Sequence, residues 1–321
     1  MTMEFARAHV MQRPWGVMDC GPWLNAEDFS EPIGEIWFDR PAIPSVQPAL
    51  LLKLLFTSQP LSIQVHPGDA YARSKGMANG KTEAWYVLSA APGAAVAVGL
   101  DRHMTASQLR RAVEDGSITD HAAWQDVSPG DAVLVPAGTI HAIGAGLVIA
   151  EIQQRSDTTY RLFDHGRQRE LHIDDGIAVA EARPANRLPP PIRLTSERTM
   201  LVGCPHFVFE RMEFMPDTDW RLEVLQETWL LVIAGHATAN QVGLSQGDTI
   251  FAQSDRVEFR VGNQGCVALV AYASTRPLPD LLQRSQPPEQ HVRLDADRRQ
   301  THATTISTNP ASADGNQGIP S

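Results

Sequence analysis

The segment Gly130-Asp131-Ala132-Val133-Leu134-Val135-Pro136-Ala137-Gly138-Thr139-Ile140-His141 constrains this chain more than any other. Its spacing is G-x5-P-x-G-x2-H. A glycine turn opens a short apolar strand, Pro136 and Gly138 build a tight turn, and His141 leads the chain back.

The rest of the chain agrees with a mainly β architecture. Ala49 to Thr57 is an apolar run broken only by Lys53, and Leu61 to His66 alternates. Ala84–Leu88, Ala94–Val98, Ala132–Val135 and Leu147–Gln153 continue the series, with Gly and Pro between them. Two helices are expected. One has a capping box at Thr105 and Gln108, an apolar stripe at Leu109 and Val113, and a closing Gly116. The other covers Ile173 to Arg183, with Asp174 and Asp175 near its positive end. Pro184 and the triplet Pro189, Pro190, Pro191 mark residues 184–193 as a linker. Strand-like segments resume at Leu201–Phe214, Trp220–Val224, Thr228–Ala234, Asp248–Ala252 and Cys266–Tyr272.

Evenly spaced short strands in each half predict two jelly-roll barrels with a few short helices. The expected division is a metal-binding domain over 1–183, a linker over 184–193, a second barrel over 194–285 and a polar, disordered tail over 286–321. A length of 321 residues suits two domains. Three widely spaced cysteines, Cys20, Cys204 and Cys266, form neither a clamp nor a disulfide framework, so a reducing cytoplasm is the expected setting. The first residues lack the apolar run of a signal peptide, and no stretch is long enough to span a bilayer. A formal charge of −10 argues against a nucleic-acid partner, while leaving room for a sugar phosphate held by local Arg and Lys.

Period-two alternation carries the site. In Leu61-Ser62-Ile63-Gln64-Val65-His66-Pro67 the apolar residues share one face, and Gln64 and His66 share the other. That pair reads either as a polar strand face or as two ligands. In Lys81-Thr82-Glu83-Ala84-Trp85-Tyr86-Val87-Leu88 the charged Lys81 and Glu83 fall on one side, and Trp85 with its apolar continuation places the strand inside the fold. Two imidazoles and a carboxylate suit zinc, whereas an amide oxygen admits nickel, manganese, cobalt or iron as well.

The Gly130–His141 box resembles the second conserved box of the cupin superfamily, with Ala145 where that box usually has Asn. The strings IQVHP, GKTEAWYVL, VPAGTIHAI and IQQRSDTTYRLFDHGR, with the earlier IGEIWF, are similar to the type I phosphomannose isomerases in their short bacterial form. The resemblance runs from about Gln12 to His172 and is looser beyond. It implies that Gln64, His66, Glu83 and His141 hold one zinc ion, that Arg161 is the active-site arginine and that Asp157 organises its loop. Without it, Asp157 and Arg161 read as a turn with a surface ion pair.

The implied reaction is the interconversion of mannose 6-phosphate and fructose 6-phosphate through a cis-enediol, catalysed by a cytoplasmic monomer or homodimer. Lys81 is then either the base or a ligand for substrate oxygen or phosphate. Glu151 is a second carboxylate of the pocket, and Arg155, where relatives carry Asn, faces either phosphate or solvent. A non-catalytic or differently specific sugar-binding cupin is the alternative. In the second half, Gly247-Asp248-Thr249-Ile250-Phe251-Ala252-Gln253 starts like another box but has Gln253 for the proline and no following histidine. That barrel is expected to hold no metal, with His236 a structural or surface residue.

Overall fold

The computed structural model describes residues 2–24, 29–41 and 47–285, and every paired strand within them is antiparallel. The polar segment 286–321, expected to be disordered, lies outside the described residues.

The first part of the chain runs β1 (Thr2–Phe5), β2 (Arg7–Val17), β3 (Ile33–Asp39), β4 (Leu50–Thr57) and β5 (Ile63–Val65). After α1 (Asp69–Ser74) come β6 (Glu83–Ala90) and β7 (Ala95–Leu100). Helices α2 (Ala106–Glu114) and α3 (Ile118–His121) lead to β8 (Ala122–Asp126) and β9 (Ala132–Val135). Then follow β10 (His141–Ile143), β11 (Leu147–Gln154), β12 (Tyr160–Phe163) and α4 (Ile173–Val179). Two sheets result, one ordered β2-β3-β4-β11-β6-β9 and the other β12-β5-β10-β7-β8. Leu55, Trp85 and Val87 of the first share a core with Val96 and Ile143 of the second, so the sheets pack face to face.

Strand β4 explains its own sequence. Leu50, Leu52, Leu54 and Phe56 point away from the second sheet, into a core shared with Phe207, Phe209, Trp229 and Leu231 of the C-terminal half. Leu55 points the other way, and all eight residues are buried. A strand covered on both faces loses its alternation and reads as a continuous apolar run. Lys53, on the inward face, is the exception.

The C-terminal half forms one large sheet. Its strands are β13 (Ile192–Arg193), β14 (Arg198–Gly203), β15 (Val208–Phe214), β16 (Asp219–Val224) and β17 (Thr228–Ala239). They continue with β18 (Val242–Ser245), β19 (Thr249–Gln253), β20 (Asp255–Tyr272) and β21 (Leu282–Arg284). The long strands β17 and β20 pair along most of their length, with register shifts that bend the sheet. Val208, Met212, Leu230, Val232, Phe259 and Val270 fill its second core. Strand β1 pairs with β19, so the start of the chain adds to this sheet.

Several expectations need adjustment. Leu201–Phe214 is a hairpin, β14 and β15, broken at Cys204-Pro205. The helix expected over Ile173–Arg183 stops at Val179, because Glu181 N–H donates instead to Gly138 O at 2.8 Å. Thr105 and Gln108 do form the capping box of α2, and Gly116 follows that helix at φ +81°. His236 is exposed on β17. No helix among the described residues is long and apolar enough to cross a membrane.

Candidate functional site

The strand registers assemble the site. His141 lies directly opposite Gln64 on β10 and β5, and Gln64 lies opposite Arg161 on β12. Glu83 heads β6 on the facing sheet, between Gln153 and Val135. Two glycines permit this convergence. A Cβ on Gly80 would sit 2.6 Å from Pro67 O and 2.7 Å from Asp69 N, so only glycine lets the Lys81–Glu83 segment run beside the His66–Pro67 turn. Gly138 has φ +89°, the left-handed conformation that turns the chain back toward His141.

His66, Glu83 and His141 are all buried, and one ligand-type atom from each lies within 4.8 Å of the others. Each ring is anchored through its Nδ1, His66 to Thr158 O at 2.9 Å and His141 to Thr139 O at 2.9 Å. A carbonyl only accepts, so Nδ1 carries the hydrogen and Nε2 keeps its lone pair for the cluster. His66 Nε2 lies 3.3 Å from Glu83 Oε2, and His141 Nε2 lies 3.4 Å from Glu83 Oε1. Gln64 is adjacent, with Nε2 3.3 Å from His141 Nε2 and Oε1 accepting from Ser62 Oγ at 2.8 Å. Coordination through its oxygen requires a half-turn of the amide, which Ser62 tolerates because a hydroxyl accepts as readily as it donates.

The electrostatics suit a cation. Burial and the Lys81 charge pull His66 down to about 3, and burial pulls His141 down as well. Burial pushes Glu83 up, but Lys81 and the two histidines outweigh it and hold the carboxyl well below its usual range. Neutral imidazoles beside an ionised carboxylate are the protonation states that a divalent metal requires. Lys81 Nζ already occupies part of this field, 2.7 Å from Glu83 Oε2, 3.1 Å from His66 Nε2 and 3.7 Å from Glu151 Oε1. Its contact with Glu83 is an ion pair without hydrogen-bond geometry, which leaves Glu83 Oε2 buried and, among the described residues, free of hydrogen bonds. Burial lowers the Lys81 pKa, whereas Glu83 and Glu151 raise it further, so Lys81 stays protonated. Burial and the charge of Glu83 push Glu151 up to about 7 against Lys81 and Lys53.

Glu83 of this cluster lies on the wall of a cavity of about 640 Å³. That volume lies in the range of small-ligand sites. Gln64, Lys81, Glu83, Glu151, Asp157 and Arg161 all line it. Arg155 does not; it pairs with Asp39 at 3.1 Å. The cavity also recruits residues that the motifs did not single out. Lys53 is only 4% exposed, stands 4.1 Å above the Trp37 ring and faces Glu151 across β4 and β11. Its signal was present, since a lone lysine within a continuous apolar strand has to meet a counter-charge. Glu35 binds Arg13 at 3.2 Å, and Arg169, Glu170 and His172 enter from the connection between β12 and α4.

Among known proteins, no family model matches this chain. It is 43% identical to the mannose-6-phosphate isomerase of Streptococcus mutans over 167 residues, 49% of this chain and 52% of that protein. The solved mannose 6-phosphate isomerase of Bacillus subtilis superposes with a TM-score of 0.74 at 21% identity, covering 85% of this chain and 100% of that one. A zinc-bound mannose 6-phosphate isomerase superposes with a TM-score of 0.65 at 15% identity, covering 85% of this chain and 100% of that one. The chain spans about half the length of the curated relatives it matches, and its fold is that of the solved phosphomannose isomerases.

Proposed function

We propose that this protein is a metal-dependent aldose–ketose isomerase that interconverts mannose 6-phosphate and fructose 6-phosphate. The observation that carries the reading is the buried His66–Glu83–His141 cluster, with both Nδ1 atoms anchored and with Glu83 and the adjacent Gln64 on the wall of a ligand-sized cavity. Gln64, His66, Glu83 and His141 would hold one ion, with zinc favoured by imidazole and carboxylate donors and by the zinc-bound relative. A bound divalent ion supplies Lewis-acid stabilisation for charge developing on the two sugar oxygens.

The chain's own groups do the rest. Isomerisation removes a proton from one of C1 and C2 and returns it to the other, passing through a cis-enediol. Lys81, kept protonated by Glu83 and Glu151, donates to the developing oxyanion. Glu151 is the proton carrier, because it is buried against the cavity and its Oε1 has no hydrogen-bond donor among the described residues. Arg161 adds positive charge from β12, and Asp157 borders the same wall. The metal-binding half carries this chemistry, and the C-terminal half supports it by packing on the outer face of the sheet that bears Lys53, Glu83 and Glu151. Three buried, unpaired cysteines favour a cytoplasmic setting.

The test is turnover of the metal-loaded protein on fructose 6-phosphate, fructose and neighbouring sugars, with and without chelator. Chelator-sensitive conversion of the phosphorylated sugar is expected. Chelator-resistant turnover, or full activity in Glu83→Ala, would refute the metal mechanism. Saturable sugar binding without turnover would make the protein a sensor.

A further inference from the structure

The connection between β12 and α4 is a pinned strap. Asp164, whose side chain is 2% exposed, accepts from Arg169 Nε at 2.7 Å and Arg169 Nη2 at 2.6 Å, and from Arg167 Nε at 3.1 Å. Arg167 Nη2 donates to Pro60 O at 2.8 Å, and His165 Nε2 lies 2.9 Å from Leu61 O. These bonds fasten the strap to the segment that enters β5. They also present Arg169 to the cavity beside Arg161.

At this end of the cavity Arg161 and Arg169 stand together, with Glu170 on the same wall. Arg161 Nη1 donates to the carbonyl of Glu170 at 3.0 Å, and among the described residues no carboxylate lies within ion-pair distance of Arg161. Arg169 gives two of its five N–H donors to Asp164 and keeps the others. Burial, then Arg169, lower the Arg161 pKa against Asp164 and Glu170, with Arg13 adding to the lowering, so the guanidinium groups feel one another. Like charges in one pocket disfavour each other unless an anion lies between them. The register fixes the position of this pole. Arg161 is opposite Gln64 and Gln64 is opposite His141, which puts it two strand spacings, roughly 10 Å, from the His141 strand. A six-carbon sugar with its reacting carbons at the histidine cluster carries its terminal group toward the arginines.

We propose that Arg169 is a specificity-determining residue, which with Arg161 grips the phosphate of the substrate, and that Asp164 is the positioning residue that aims it. The assignment rests on the isomerase reading for the identity of the sugar, but not for the existence of the anion site. Two open guanidinium edges match a phosphate's terminal oxygens, and Asp164 removes the rotamer freedom that an unclasped arginine would lose on binding.

Two readouts test it with the full chain. The first is calorimetric binding of inorganic phosphate to wild type, Arg169→Gln, Arg169→Lys and Asp164→Asn. Arg169→Gln should weaken phosphate by at least about tenfold, the loss of one charge-assisted hydrogen bond. Arg169→Lys, which keeps the charge but not the fork, should fall between, and Asp164→Asn should follow Arg169→Gln. The second is the ratio of kcat/KM for mannose 6-phosphate over mannose in the metal-loaded protein, which should drop by a similar factor in Arg169→Gln, through KM. Phosphate binding within twofold of wild type in Arg169→Gln or Arg169→Lys would overturn the proposal, as would equal losses on both sugars. If wild type turns over no sugar, the isomerase reading fails, while phosphate binding still decides the anion site.

Discussion

Glu227→Ala should destabilise the protein by severing the hydrogen bonds that tie the C-terminal half to the strand carrying Lys53. Glu227 is 7% exposed and precedes β17. Its carboxylate accepts from Ala49 N at 2.6 Å, Leu50 N at 2.8 Å and Trp229 Nε1 at 3.0 Å. Ala49 is exposed, so water replaces the lost acceptor there. Leu50 and Trp229 are 1% and 0% exposed, and their N–H groups would be stranded. At about 1–3 kcal/mol for each stranded buried donor, the expected loss is about 4 kcal/mol. With about 2 °C per kcal/mol for a unit of this size, the midpoint of thermal unfolding should fall by about 8 °C. Circular dichroism melts with urea titrations read this directly. Glu227→Gln can keep the oxygen that accepts from both Leu50 and Trp229 and forfeit only the bond from exposed Ala49, so it should lose only about 1 kcal/mol. A midpoint within about 2 °C of wild type in Glu227→Ala would refute the reasoning, by showing that the packed core alone holds the two halves together.

Four further outcomes follow from the geometry. Glu83→Ala should leave His66 and His141 without the carboxylate between them, lowering metal retained after dialysis by over ~100-fold in affinity; retention equal to wild type, measured by elemental analysis, excludes the site. Ser62→Ala removes the hydroxyl that must switch from donor to acceptor when the Gln64 amide turns, and should weaken metal binding by roughly 10-fold in a chelator competition. Phe56→Ala opens a cavity in the core between the halves, where Phe56 is 0% exposed, and should cost about 3–5 kcal/mol in urea unfolding. For Asp164, burial raises the pKa but hydrogen bonds from Arg169 and Arg167 outweigh it, so the folded value is depressed. Its stabilisation is therefore complete above the unfolded value of about 3.9 and is lost as pH falls through the lower folded value. The melting difference between wild type and Asp164→Asn should shrink below about pH 4, and a difference that is constant with pH contradicts the clasp.

Local chemistry made much of this protein legible without coordinates. Pro136 and Gly138 restrict their own backbones, so the turn that returns His141 was readable from twelve residues, and Gly138 adopts the expected left-handed conformation. Period-two alternation is equally local: it put Lys81 and Glu83 on one side and Gln64 with His66 on another, and these residues do converge. Tertiary structure decided the remainder, because it depends on groups distant in sequence. Lys53 faces the cavity only because the C-terminal half covers the other side of β4. Arg155 turned to Asp39, and α4 stopped when Gly138 O captured Glu181 N–H. Arg169 reaches the cavity through the clasp of Asp164. The sequence by itself determined the turn that returns His141 and the strand faces that carry Gln64, His66, Lys81 and Glu83, since backbone restriction and alternation act over a few residues. Which charges meet those residues was decided by packing between sheets, which no local pattern encodes.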